Sequence, residues 1–418
     1  MDALKEMVAR NLVGDAVGVV SYCTAHADVI RAVCEAGAAV PGPVLIEATC
    51  NQVNQEGGYT GLRPLDFRRL VEATAASAGL PAARLVLGGD HLGPNPWRAL
   101  GAAEAMSRAR TMVSEYASAG FQKLHLDASM KLGGDPQRLD EAVVAERAAM
   151  LCEVAEAAGD GAAPVYVIGT EVPTPGGETD ALDGVRPTVP GALAETLEQH
   201  RLAFAKRGLG HAFERVIAIV AQPGVDFSNE SVMEFVPEGA ARLGQEVARL
   251  GQVACEAHST DYQPEEALAS LVRSHFAILK VGPELTAAYR RALLGLAHIE
   301  DQMLPEGRRS GLVPVLLRRM AERPRDWQPY YKGDALTLRR MQLFSYSDRV
   351  RYYWTDPEVM QAVAQLMENL AQLSVPGVLF AQYLPDLTPL SDRHPVAAVA
   401  REAVIQVVRR YQLAAGLV

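Results

Sequence analysis

The chain has 418 residues, 49% of them hydrophobic and 22% charged, with a net charge of −10 and a pI near 5.5. That acidity argues against nonspecific binding to nucleic acid or to an anionic membrane, and no apolar run approaches the roughly 18–20 residues needed to span a bilayer. The five cysteines (Cys23, Cys34, Cys50, Cys152, Cys255) form no C-x-x-C pair, so neither a disulfide framework nor a zinc-finger spacing is indicated, and they read as small buried hydrophobes. The opening Met1-Asp-Ala-Leu-Lys-Glu-Met7 lacks a basic-then-apolar leader, and a cytoplasmic protein is expected.

Taken in order, the chain alternates strands and helices. A helix is predicted over 1–12, then a β-rich run ending in polar residues at Ser21-Tyr-Cys-Thr-Ala-His26, and a helix over 28–37. Val44-Leu-Ile-Glu-Ala-Thr49 is the second strand, followed by a glycine-rich loop and a helix over 64–78. Leu85-Val-Leu-Gly-Gly-Asp-His-Leu-Gly-Pro-Asn-Pro-Trp97 starts as the third strand, breaks on glycines and stops at prolines, with a long helix over 97–119 behind it. Strands four to eight are predicted at 121–129, 164–171, 215–224, 252–258 and 276–282, with helices between them and another opening at Pro283. Eight strand-then-helix units in about 285 residues, with near-continuous apolar strands, predict a (β/α)8 TIM barrel near the usual size of about 250 residues. The rival, an open doubly wound sheet, would want a glycine-rich phosphate turn after the first strand. The barrel is expected to occupy 1–290. The remainder, 291–418, reads as a helical extension packed on it, with helices at 312–320, 357–373 and 395–413.

Barrel sites lie at the carboxyl ends of the strands. This chain places Glu47, Asp90, His91, Asp127, Glu171, Gln222, His258 and Lys280 there. Imidazole and carboxylate together form the ligand set of a first-row divalent metal. His91, His258 and Glu171 are the first candidates to hold it, and Gln222 and Asp127 could complete or orient the set. Asp90, beside a ligand, suits proton transfer, and Asp127 is the second candidate for that role. Period-two alternation puts Lys123, His125 and Asp127 on one face of the fourth strand. His125 reads as structural or substrate-facing, and Lys123 as the partner of an interior carboxylate. Lys280 could be a Schiff-base lysine or a substrate contact. Glu47 in the second strand, Asn51 and Gln52 in the glycine-rich loop and Ser259 after the seventh strand are further expected substrate contacts. Ser345-Tyr-Ser-Asp-Arg-Val-Arg351 offers hydroxyls and guanidiniums to a phosphate, with Tyr346 and Arg349 as candidates. The bland reading of that run is a helix start capped by Ser347 or Asp348.

Four motifs carry a resemblance: Glu47-Ala-Thr-Cys-Asn-Gln-Val-Asn-Gln55, Gly88-Gly-Asp-His-Leu-Gly-Pro-Asn-Pro-Trp97, Lys123-Leu-His-Leu-Asp-Ala-Ser-Met130 and Ser345-Tyr-Ser-Asp-Arg-Val-Arg-Tyr-Tyr-Trp354. The chain resembles the tagatose-1,6-bisphosphate aldolase Z-subunit (GatZ/KbaZ-like) family over essentially its whole length. The resemblance implies kinship with metal-dependent class II aldolases, whose members here serve as non-catalytic partners of an aldolase chain or act alone as 4-epimerases of tagatose or its 6-phosphate. It also implies that Asp90-His91 supplies the proton-transfer acid and a metal ligand, with Asp127, Glu171 and His258 at matching positions. Gln222 stands where the family's relatives carry a histidine ligand. The expected function is a metal-dependent ketose 4-epimerase, working by cleavage and re-formation of C3–C4, with zinc as the expected ion. The alternatives are a stabilising subunit of a class II aldolase and a full aldolase. Expected partners are a ketose or ketose phosphate, an aldolase catalytic subunit on the second reading, and further copies of the chain.

Overall fold

A computed structural model describes residues 2–137, 139–159, 163–170, 185–189, 191–390 and 396–418. Eight parallel strands close a barrel: β1 Val19–Cys23, β2 Val44–Thr49, β3 Leu85–Leu92, β4 Lys123–Leu126, β5 Val165–Ile168, β6 Val216–Val220, β7 Ala254–Ala257 and β8 Ile278–Val281. Each pairs with its sequence neighbours, and β1 meets β8 to complete the ring. The predicted (β/α)8 architecture is the one observed.

Alternation along the strands sorts the core into two compartments. Outward-facing Tyr22, Ile46, Leu87, Leu124, Tyr166 and Leu279 pack beneath the surrounding helices. Inward-facing Val19, Leu45, Val86, Val165 and Ile278 fill the lower barrel, where Leu4, Met7 and Val8 of the helix Asp2–Leu12 join them. One layer higher the interior turns polar: Ser21, Glu47, Lys123, His125, Glu256 and Lys280 are all buried. Gly88 is required at this level, since a Cβ there would lie 2.2 Å from Glu47 Oε1.

The helix Pro283–Met303 runs continuously through residue 290, and Val396–Ala414 returns to pack on it and on Ala27–Ala38. The tail is tied to the barrel: Gly18 donates its N–H to the Ala415 carbonyl at 3.0 Å, and the Tyr411 hydroxyl donates to the Thr260 carbonyl at 2.6 Å. The structure refines several predicted elements. The long helix after β3 begins at Ala102, after a 3₁₀ turn at Asn95–Trp97 set by Pro94 and Pro96. A short antiparallel ladder (Asp226–Phe227 with Val232–Met233) and the helices Ala335–Phe344 and Gly377–Tyr383 carried too little periodic signal to be predicted. Residues Arg349–Tyr353 form a 3₁₀ turn rather than a capped α-helix, because Asp348 sits at φ +46° and commits its carboxylate to Arg290 and Thr286. No helix among the described residues is long and apolar enough to cross a membrane.

Candidate active site

The carboxyl ends of the strands project their polar groups into one mouth. β3 pairs with β4 irregularly between Gly89 and Leu92, and His91 in that stretch takes φ +48°. A non-glycine residue held in the left-handed region costs roughly 1–3 kcal/mol and persists only where its surroundings over-determine it. Here His91 is held by its ring, whose Nδ1 donates to Asp127 Oδ2 at 2.8 Å. Gly93 then lets the chain turn, since a Cβ would fall 1.6 Å from the Asp127 carbonyl. Ser259, just after β7, sits at φ +53°.

Beneath the mouth lies a fully buried charge network. Lys123 donates to Glu47 Oε1 at 2.8 Å and lies 2.7 Å from Glu256 Oε2. Lys280 reaches Glu47 at 2.5 Å, Asp90 at 2.7 Å and Glu256 at 3.2 Å. Ser21 completes Glu47 with a hydrogen bond of 2.5 Å. Burial by itself would raise the Asp90 carboxyl, but His91 and Lys280 outweigh it and hold the group well below the usual carboxylate range. Glu256 is held down against burial in the same way by Lys123 and Lys280. Burial would lower Lys280, yet Asp90 and its neighbours keep it well above an ordinary lysine. An ammonium so enclosed is not the deprotonated nucleophile that a Schiff base requires.

Above this network three imidazoles converge. The ring centroids of His91, His125 and His258 lie 4.8–5.2 Å apart. Burial lowers His258 to about 3, so the ring is neutral, and its Nε2–H donates to Glu256 Oε1 at 2.9 Å. His91 moves the other way: burial opposes protonation, but Asp90 and Asp127 raise its pKa. Burial pushes Asp127 up, while His91 and Ser129 hold it at about 2. His125 Nδ1 lies 3.0 Å from Asp90 Oδ1, and its buried Nε2 has no partner among the described residues. Asp90, His125, Glu256 and His258 each offer a ligand atom, all within 4.8 Å of one another. That orphaned imidazole nitrogen and the mixed nitrogen–oxygen donor set fit a divalent cation.

A cleft opens over these groups. Its walls include Cys23, Asn51, Gln52, Tyr59, Asp90, His91, His258, Ser259, Asp261 and Lys280. From beyond the barrel it is closed by Arg351, Tyr352 and Thr355. The structure therefore gathers Asp90, His91, Asn51, Gln52, His258, Ser259 and Lys280 at one opening, with Glu47, His125 and Asp127 packed directly behind them. Other predicted residues fall elsewhere. Gln222 turns its Oε1 back to the N–H groups of Gly224 and Val225 at 2.8 and 3.0 Å. Arg349 is buried against the Tyr330 ring and donates to the Asp326 carbonyl, because the tight 3₁₀ turn sends residue 349 inward and residue 351 toward the cleft. Tyr346 packs at a tilt against Tyr262, ring centres 4.6 Å apart, in a neighbouring groove. Glu171 lies outside the described residues. Glu256 was not singled out from the sequence. Its signal was the two-residue spacing to His258 in Ala254-Cys-Glu-Ala-His258, which sets both side chains on the inner face.

The model of D-tagatose-1,6-bisphosphate aldolase subunits of the GatZ/KbaZ-like type matches residues 4–415. The chain belongs to that family. Among GatZ/KbaZ-like relatives, a D-tagatose 6-phosphate 4-epimerase from Agrobacterium fabrum (strain C58) is 47% identical over 99% of this chain and 98% of its own length. The crystal structure of a probable tagatose 6 phosphate kinase from Sinorhizobium meliloti 1021 superposes with a TM-score of 0.87 at 45% identity, covering 95% of this chain and all of that one. The fructuronate-tagaturonate epimerase UxaE from Cohnella laeviribosi shares the fold at 12% identity, with a TM-score of 0.52 over 96% of this chain and 81% of its own.

Proposed function

We propose that the protein is a metal-dependent ketose 4-epimerase that interconverts tagatose and fructose, or their 6-phosphates, by breaking and re-forming the C3–C4 bond. The observation that carries this reading is the convergence of three imidazoles and the Asp90 carboxylate beside a cleft, above a network whose ammonium groups are already neutralised. So many buried polar groups are costly to keep, and a purely structural subunit has no use for them at the mouth of the barrel. The 47% identity to a named 4-epimerase supports the same reading.

His125 and His258 would hold the cation with Glu256, and His91 stands next to them. Zinc suits this donor set. When bound, the cation would stabilise the negative charge that develops on the ketose oxygens. Asp90, held ionised, takes the proton of the C4 hydroxyl as the C3–C4 electron pair moves into the enediolate of the C1–C3 half and C4 becomes the aldehyde carbon of the C4–C6 half. The aldehyde half then turns over, the bond re-forms on its other face, and Asp90 returns the proton to the new C4 oxygen. His91, fixed by Asp127, and Lys280 set the position of the Asp90 carboxylate.

The test is the purified protein alone with tagatose 6-phosphate, fructose 6-phosphate and the free sugars, before and after chelation. Interconversion lost on chelation and restored by a divalent metal is expected. His125→Ala should carry less metal by elemental analysis. Release of trioses would point to an aldolase. Silence with every sugar, together with tight binding to a class II aldolase chain, would mark a stabilising subunit.

A further inference from the structure

We infer that Arg351 is the anchor for the phosphorylated end of the substrate, so that the enzyme selects the ketose 6-phosphate over the free sugar; this rests on the 4-epimerase reading above. Among the described residues, two lysine or arginine side chains line the cleft, Lys280 and Arg351. Lys280 is enclosed by Glu47, Asp90 and Glu256, so its charge is already matched. Arg351 makes no pair with a carboxylate among the described residues. Asp348, in the same turn, spends its side chain on Arg290 and Thr286 and offers Arg351 only its carbonyl, at 3.1 Å.

The surroundings of Arg351 aim and stiffen it rather than neutralise it. One nitrogen, Nη1, donates to the carbonyls of Ser347 and Asp348, and Nη2 donates to the Tyr352 hydroxyl at 3.1 Å. The guanidinium also lies 4.6 Å from the centre of the Tyr352 ring, and that ring packs edge-on against Tyr59, 4.4 Å away, on the opposite wall. Tyr59 comes from the loop after β2, so the two walls meet at the point where Arg351 faces the cleft. A guanidinium has five N–H donors in a planar fork that matches phosphate oxygens. Pre-positioned by fixed neighbours and lacking a carboxylate, it loses little on accepting an anion. The reacting groups, Asp90 and the imidazoles, stand at the barrel end of the same cleft. A ketose lying between them puts C3–C4 at Asp90 and its far end toward Arg351.

The experiment compares wild type, Arg351→Met and Arg351→Lys on tagatose 6-phosphate and on tagatose, each checked for folding by thermal melt, with inorganic phosphate as inhibitor. A lost charge-assisted bidentate contact corresponds to roughly 10- to 100-fold in affinity. The ratio of kcat/KM for phosphorylated over free sugar should fall by about that factor in Arg351→Met, carried by KM. The lysine variant should recover part of it, and inorganic phosphate should inhibit wild type competitively and the methionine variant at least ten times more weakly. An unchanged ratio would overturn the inference even with normal turnover, as would equal losses on both sugars in a folded variant. If wild type turns over neither sugar, the epimerase reading fails. Calorimetry with inorganic phosphate then decides on Arg351 alone: binding that the methionine variant loses supports the anchor, and binding that it keeps refutes it.

Discussion

Replacing Lys123 by methionine removes the charge at the centre of the barrel and keeps nearly the same volume. Lys123 is wholly buried, 2.8 Å from one oxygen of Glu47 and 2.7 Å from one of Glu256. Lys280 also touches both carboxylates but is shared with Asp90, so three acids would be left to a single ammonium. Breaking a buried pair by deleting one partner typically costs about 3–5 kcal/mol, because a charge is left uncompensated. In a chain of this size that corresponds to a fall in Tm of roughly 3–6 °C. The pH dependence gives a sharper check. Glu256 has its folded-state pKa depressed, so it contributes stability above its unfolded pKa and loses it as pH falls through the folded value. Without Lys123 that depression shrinks, and the variant begins to take up protons at higher pH. Denaturant melts of both proteins from pH 8 to pH 4 should therefore show the widest gap near neutrality and a narrowing gap toward the usual carboxylate range. A K123M protein within 1 kcal/mol of wild type at pH 7, with a parallel pH profile, would refute the argument that this ammonium compensates the interior acids.

Three further outcomes follow from the same geometry. Gly88→Ala should yield insoluble protein or one destabilised by at least about 3 kcal/mol in urea melts, since the new methyl overlaps Glu47 and neither can retreat from a packed interior. Asp90→Asn should cut kcat by about 10²–10⁴ with a smaller change in KM, the loss assigned to a group that moves a proton at the reacting bond; equal kcat in a folded variant would remove Asp90 from the chemistry. His200 is buried, with its Nδ1 against the Thr196 carbonyl at 2.8 Å, and burial lowers it from 6.5 to about 4. Its neutral form is favoured in the fold, so stability is lost as pH falls from the unfolded value toward 4, by up to about 3 kcal/mol. His200→Gln should flatten that part of the stability profile, and an unaltered slope would exclude His200 as its source.

Much of this was readable in the chain before any fold was known. The β4 run Lys123-Leu-His-Leu-Asp127 shows why: period-two spacing places three polar groups on one face, and an apolar strand has no other place for them than a barrel interior. The ion pairing of Lys123 with an interior carboxylate followed from the same spacing. What was not legible depends on distance across the ring. His125 looked structural because its immediate neighbours are apolar, yet the register of β3 and β4 sets its ring beside Asp90 and His91. Glu256 gave no sign of its two ammonium partners, which come from β4 and β8, far away along the sequence. The difference between Arg349 and Arg351 turns on a single 3₁₀ turn, whose local hydrogen bonds no residue pattern announces.

The helix at residues 2–12 stoppers the lower end of the cylinder with Leu4, Met7 and Val8. Among the described residues, the reaction chamber therefore has no opening through this end of the cylinder. On the proposed chemistry, a sugar broken into two halves inside finds no drain beneath it. The aldehyde either recombines with its partner, in one orientation or the other, or works its way back out past the loops that admitted it.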